Sequence, residues 1–276
     1  MAELPIHRQF RFIFLKGYGM NILILGDVVG KPATEGFGAA LGAFKKENKV
    51  DAVIVNGENA CLGSGNGISK EAAELLFAGG ADIITGGNHS FRQRNMLDYL
   101  DNCPYIIRPA NLPAASPGSG YTIADLCGRR FLVMNLMGRV YMDPCDCPFN
   151  AGDRILEKEK GNYDIAVLDI HAEATSEKWA IADYFASRVN IIFGTHTHVP
   201  TADEQILPGG CAYITDVGMC GPIHSALGVK TEIITKRFRT ALHERFELSD
   251  NPVQYQGILV TTNGFDKVSA IRRVVF

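Results

Sequence analysis

Met20 to Gly30 reads MNILILGDVVG, and this stretch decides the fold. Its apolar run, Asn21 to Leu25, predicts a first β-strand, and the strand stops at Gly26-Asp27, so a carboxylate stands where the strand ends. Downstream, helical and strand patterns alternate. A helix follows Pro32 and runs to Asn48; Ala52 to Val55 is a second strand. Ser69 to Ala78 is a helix with Ser69 as its N-terminal cap and Gly79-Gly80 at its end. Asp82 to Thr85 is a third strand, and Phe91 to Leu100 a third helix. Further strands are expected at Phe131 to Asn135, Ile165 to Asp169, Ile191 to Phe193 and Ala212 to Thr215. Gln254 to Thr262 and Lys267 to Val275 flank Asn263-Gly264, a tight-turn sequence, and predict an antiparallel closing hairpin. The fold class is α/β, with layers of helix over sheet.

No repeat or low-complexity linker divides the 276 residues, so residues 20–276 are expected to form a single domain, with 1–19 as an N-terminal extension. Lys16-Gly17 is encoded by a purine-rich AAR-GGN string placed like a ribosome-binding site, which makes Met20 the expected natural start. The basic N-terminal segment has only Phe12 to Leu15 as an apolar core and lacks a small-residue cleavage site, so it is a poor signal peptide. No stretch approaches the roughly 18 apolar residues of a membrane span. Twenty-seven Lys and Arg against 30 Asp and Glu give a net charge of −3, which argues against a global grip on a nucleic-acid duplex and leaves any phosphate chemistry to a local site. Seven cysteines without a C-x-x-C pair speak against a disulfide framework or a four-cysteine zinc site. They are read as reduced cytoplasmic thiols, with Cys145-Asp-Cys147 structural.

The informative pattern is what ends the strands. Five of them deliver polar groups: Asp27; Glu58-Asn59; Asn88-His89; Asp169 with His171; and His196-Thr-His198. In open α/β sheets the carboxyl ends of the strands converge on one crevice, so this distribution predicts a metal or catalytic site. Singly the motifs are weaker. Asp27 would serve as a cap, and Glu58-Asn59 would satisfy the backbone of its Gly-rich loop. The Gly86-Gly87 step permits close backbone approach to a ligand. His196 and His198, two apart in an extended loop, would turn both imidazoles the same way, toward one ion or two adjacent ions. His7, His224 and His243 are read as surface or structural residues. The Gly26 to Pro32 loop fails as a phosphate-binding Walker motif, and neither a nucleophile elbow nor a dinucleotide fingerprint is present. The sulfur-free set of Asp, Glu, Asn and His suits two divalent ions of the Mn, Fe or Zn type, which at about 3.5 to 4 Å apart would hold a hydroxide nucleophile and stabilise the transition state.

GDVVGKP, VNGENA, GGNHSF, RPANLP, DIHAEATSEK, GTHTHVPTADE and ITDVGMCGP occur in this order. Together they resemble the YmdB-type bacterial metallophosphoesterases, a branch of the calcineurin-like superfamily, from Met20 to the C-terminus. The resemblance implies a four-layer sandwich, two mixed sheets packed together and flanked by helices. It implies hydrolysis of 2′,3′-cyclic nucleotides to nucleoside monophosphates by a dinuclear centre, through attack of metal-bound hydroxide. It implies Asp27, Glu58, Asn59 and His198 around one metal, with Glu58 bridging to a second held by Asn88, His171 and His196. His89 is then the catalytic histidine near the phosphate. The superfamily's usual Asp-x-His motif is broken here by Val29; Asn59 is expected to fill in, hardening the first site toward Fe or Mn over Zn. The segments from Arg108 to Gly120 and from Gly138 to Phe149 are expected to rim the pocket, with Arg139 open to a phosphate or a surface role. The alternatives are a phosphatase or phosphodiesterase for another phosphoester, such as an RNA end, or a nucleotide sensor with little turnover. The expected partner is a small phosphoester, with no membrane, and the apolar surface of the C-terminal hairpin would serve a homo-oligomer.

Overall fold

The computed structural model describes residues 18–63, 65–264 and 266–276. The expectation about the N-terminal extension therefore lies, for residues 1–17, outside the described residues. Two sheets lie face to face. The first has the order β2-β11-β12-β1-β3-β4, with β13 also paired to β12. Its strands are β1 (Asn21–Leu25), β2 (Asp27–Val28), β3 (Ala52–Asn56), β4 (Ile83–Thr85), β11 (Met219–Pro222), β12 (Val253–Thr262) and β13 (Val268–Val275). The second sheet runs β5-β6-β7-β8-β10-β9. It contains β5 (Tyr121–Leu126), β6 (Arg129–Met137), β7 (Ile165–His171), β8 (Ile191–Thr195), β9 (Gln205–Ile206) and β10 (Ala212–Ile214).

The period of two in the apolar strands sorts their side chains into separate cores. Ile22, Ile24 and Ile54 meet Phe131, Val133, Val167 and Phe193 between the sheets. Leu23, Leu25, Val53 and Val55 point the other way, onto α1 (Gly30–Asn48) and α2 (Lys70–Ala78). In the second sheet Leu132, Met134, Leu168 and Ile170 pack under α4 (Pro148–Lys158) and α5 (Thr175–Phe185). Helix, sheet, sheet and helix make the expected four layers. The central strands are parallel, β1 with β3 and β6 with β7 and β8, so their carboxyl ends share one edge of the sandwich.

Ser69 caps α2 as expected, accepting from the Ala72 amide at 3.2 Å. Three expectations need correction. The helix drawn from Phe91 begins later, as a 3-10 turn over Arg94–Met96 that leads into α3 (Leu97–Asn102). The Ser90 hydroxyl and amide both bond back to Gly87, which keeps that stretch in a turn. Asn263-Gly264 is not a two-residue hairpin turn. The register pairs Thr262 with Val268 across a bulge, and the Asn263 amide donates to the Lys267 carbonyl at 2.8 Å, so the loop spans 263–267. Finally, β7 and β8 run on to His171 and Thr195, because their pairing continues to the His171–Thr195 register position. Among the described residues no helix is long and apolar enough to cross a membrane.

Candidate metal centre

The first sheet supplies the oxygen-bearing side chains. At Gly26 a β-carbon would strike the Gly218 carbonyl, so glycine lets the chain step from β1 into β2 and carry Asp27 inward, fully buried. Beyond β3, the Asn56 amide oxygen accepts from the Glu58 backbone at 3.1 Å and turns Glu58 back over the strand end. After β4, the turn closed by Ser90 presents Asn88 and His89. Gly87 lies flat against the cluster, since a β-carbon there would overlap Glu58 Oε2 and His171 Nε2.

The second sheet supplies imidazoles. His171 is the last residue of β7, and His196 and His198 follow β8. The segment after β8 is not extended, as the sequence suggested. His196 and His198 both have left-handed backbones, with φ of 94° and 61°, conformations that cost energy and persist only where surroundings enforce them. Asp216 does the enforcing. Its Oδ2 accepts from the Thr197 amide at 3.2 Å and hydroxyl at 2.8 Å, and pairs with the buried Lys178 ammonium of α5 at 2.7 Å. The His196 amide adds a bond to Asp27 Oδ2 at 3.2 Å. The two imidazoles consequently face two different groups.

His171 Nε2 lies 2.9 Å from Asn88 Oδ1, 3.1 Å from His196 Nδ1 and 3.3 Å from Glu58 Oε1. His198 Nε2 lies 3.2 Å from Asn59 Nδ2 and 3.6 Å from Asp27 Oδ1. Asn59 Nδ2 also reaches Glu58 Oε1 at 3.1 Å, and its Oδ1 meets His89 Nδ1 at 2.9 Å. His89 Nδ1 is 3.2 Å from Glu58 Oε1, and its backbone amide donates to Glu58 Oε2 at 2.9 Å. The structure thus brings together all eight residues singled out in the sequence.

The outer nitrogens show which way the rings are turned. His198 Nδ1 donates to the Leu227 carbonyl at 3.2 Å, and His196 Nε2 lies 3.1 Å from the Glu173 carboxylate. His171 Nδ1 meets the Thr195 hydroxyl at 2.9 Å, and that hydroxyl donates to Asp169 at 2.7 Å. With the outer nitrogens engaged, the inner nitrogens face carboxylates, an amide oxygen and each other, and once unprotonated they would turn lone pairs to a cation there, the orientation that outer-shell partners give to ligating histidines. Asp27 Oδ1 is buried without a hydrogen-bond partner. Among the described residues no Lys or Arg ion-pairs with Asp27 or Glu58. Acceptors that converge in this way fit a cation, and the sulfur-free donor set fits Mn, Fe or Zn. Single donor atoms of Glu58, His171 and His196 lie within 4.8 Å of one another.

Electrostatics points the same way. Burial works against charge on Glu58, but His171 and then His89 outweigh it and hold the carboxyl well below its ordinary range. Burial likewise opposes charge on Asp27, and His198 outweighs it. For His171 burial is overcome by Glu58, Asp27 and Asp169, which push it up to about 9. Burial and the neighbouring His171 drive His196 down to about 4. In the metal-free protein a proton on His171 supplies the positive charge these carboxylates demand.

Sequence reading missed Asn56, Thr85, Thr195, Lys178, Glu173 and Asp216. Thr85 and Thr195 end strands, and Asp216 sits in the ITDVGMCGP motif, which was the available signal. Glu173 and Lys178 lie in the DIHAEATSEK motif, Lys178 on a helix that the sequence reading did not draw. Of the segments expected to rim the site, the one after β6 starts beside it, with the Gly138 amide bonded to the His171 carbonyl at 3.0 Å. Arg108 is buried and donates to the carbonyls of Pro109, Ser116 and Pro117, folding its own loop. Arg139 is exposed.

The layered fold recurs in solved structures. A 5′-nucleotidase precursor from Thermus thermophilus superposes with a TM-score of 0.56 over 94% of this chain and 54% of that one, at 11% identity, a likeness of fold alone. The chain's relatives, named as a phosphodiesterase and as phosphatase/phosphodiesterases, make it a phosphoric diester hydrolase. A crystal structure described as a novel phosphatase from Mycoplasma pneumoniae is closer, with TM-score 0.88, 34% identity and 94% of each chain covered. The 2′,3′-cyclic-nucleotide 2′-phosphodiesterase of Bacillus subtilis (strain 168) is 41% identical over 241 residues, 87% of this chain and 90% of that protein. The profile of the YmdB-like protein family matches residues 23–274, and the chain belongs to that family.

Proposed function

We propose that the protein is a dinuclear-metal phosphodiesterase that opens 2′,3′-cyclic nucleotides to nucleoside monophosphates. The observation that supports this reading is the convergence of imidazole nitrogens on two buried carboxylates, with Asp27 Oδ1 left without a hydrogen bond. Asp27, Glu58, Asn59 and His198 would hold one ion. Glu58, Asn88, His171 and His196 would hold the other. The oxygen and nitrogen donors favour Fe or Mn. When bound, such ions supply positive charge against the phosphoryl oxygens and make water more acidic.

His89 handles the proton. Its Nδ1 is engaged by Asn59 Oδ1 and Glu58 Oε1, which fixes the ring, while its Nε2 makes no hydrogen bond among the described residues. As water adds to phosphorus and releases a proton to solvent, the bond to one ribose oxygen breaks and His89 Nε2 gives that oxygen a proton, which solvent then restores to His89. The cyclic-nucleotide substrate is suggested by the Bacillus subtilis relative. The test is turnover of 2′,3′-cyclic AMP by manganese-reconstituted protein, with products separated by chromatography. Metal-dependent formation of a single monophosphate, lost in His89→Ala, is expected; no turnover by metal-loaded protein refutes the substrate assignment.

A further inference from the structure

Behind the candidate centre, between the two sheets, lies a buried polar group of Asn56, Thr85, Asp169 and Thr195, all fully inaccessible. Asp169 is its hub. Its Oδ2 accepts from Thr85 of β4 and, at 3.1 Å, from Asn56 of β3, both in the first sheet. Its Oδ1 accepts from the Thr195 hydroxyl of β8, in the second sheet, at 2.7 Å. The first sheet carries the carboxylate and amide ligands and the second the imidazoles, so Asp169 ties the two halves of the centre together.

The hub also decides a direction. The anchors of His196 and His198 are a carboxylate and a carbonyl, which can only accept. The anchor of His171 is a hydroxyl, which can donate or accept. Thr195 has one proton and spends it on Asp169 Oδ1, so its oxygen is left to accept from His171 Nδ1 at 2.9 Å. A neutral His171 then carries its proton on Nδ1 and turns a bare Nε2 toward Asn88, Glu58 and His196.

We infer that Asp169 and Thr195 are positioning residues for the metal centre, which fix the His171 tautomer by a carboxylate–hydroxyl–imidazole chain and set the spacing of the two ligand halves. This rests on His171 being a ligand, as proposed above. Two substitutions separate the role from general stability. Thr195→Val keeps the shape and removes the hydroxyl. In Asp169→Asn, the Asn56 donor holds the new amide oxygen in the Oδ2 place, so the amide nitrogen faces Thr195. The hydroxyl then turns to donate to His171 Nδ1 and forces the proton onto Nε2, the wrong nitrogen for ligation.

The experiment uses the full chain with 15N-labelled histidine, titrated with Zn²⁺ as a diamagnetic probe, together with calorimetric Mn²⁺ affinity. In the wild type, Zn²⁺ is expected to move the His171 Nε2 resonance while Nδ1 stays protonated. Thr195→Val and Asp169→Asn are expected to bind Mn²⁺ about 10–100-fold more weakly, with Thr195→Ser restoring affinity to within about threefold. Asp169→Asn is further expected to place the neutral His171 proton on Nε2, a signature that lost stability alone does not produce. If Zn²⁺ leaves His171 of the wild type unmoved, the ligand assignment falls and this inference with it. If Zn²⁺ moves it, and both variants keep wild-type affinity with a protonated Nδ1, the positioning role alone is overturned.

Discussion

Gly87→Ala puts one methyl group into the proposed ligand cluster. The added carbon overlaps Glu58 Oε2 and the His171 ring, and neither side chain can swing aside, being 1% and 0% exposed. Gly87 has no positive φ, so the substitution carries no left-handed backbone cost and its effect is steric. Forcing a methyl into a packed interior costs about 1–3 kcal/mol, which leaves the protein folded. Metal affinity should suffer more, because the methyl displaces two donor groups at once; a loss of at least about 10–100-fold, the range for disturbing a ligand's support, is expected. Calorimetric titration of the metal-free variant with Mn²⁺, beside its thermal unfolding, separates the two effects. Unchanged stoichiometry and affinity at a folded Gly87→Ala would refute the placement of the ions against Glu58 and His171.

Other outcomes follow from the same geometry. Gly42→Ala, in the interior of α1 with nothing within 4 Å of the added carbon, should stabilise the metal-free protein by about 0.5–1 kcal/mol in chemical denaturation. Lys178→Met strands the buried Asp216 charge behind Thr197 and should cost about 3–5 kcal/mol, with weakened metal binding because the 196–198 turn loses its support. His171, pushed up to about 9 in the metal-free protein, must lose its proton to become a ligand. Calorimetry at pH 7.5 in buffers of different ionisation enthalpy should therefore show about one proton released from this group, with affinity rising about tenfold per pH unit up to about pH 9 and then levelling.

The strand ends were legible because apolar runs such as Ile22 to Leu25 and Ile165 to Leu168 stop abruptly at polar residues, and parallel pairing gathers those ends on one edge. The layered architecture followed from the motif resemblance. Helices α4 and α5 escaped notice, and so did the role of Lys178, the last residue of the DIHAEATSEK motif, which α5 buries against Asp216. His196 and His198 were read as neighbours in an extended loop, whereas a long-range carboxylate holds their segment in left-handed conformations. The Asp169 hub is the least readable part, since its partners Thr85, Asn56 and Thr195 come from three strands and meet only when the sheets pack. Such contacts depend on tertiary placement, which local pattern does not encode.

The measurement that tests the central claim most directly is anomalous diffraction at the manganese edge from crystals of the Mn²⁺-loaded protein. Two peaks are predicted, both touching Glu58, one beside Asp27 and His198 and the other beside His171 and His196. A single peak, or none at these residues in a crystal whose protein is shown to retain manganese, would contradict the dinuclear account.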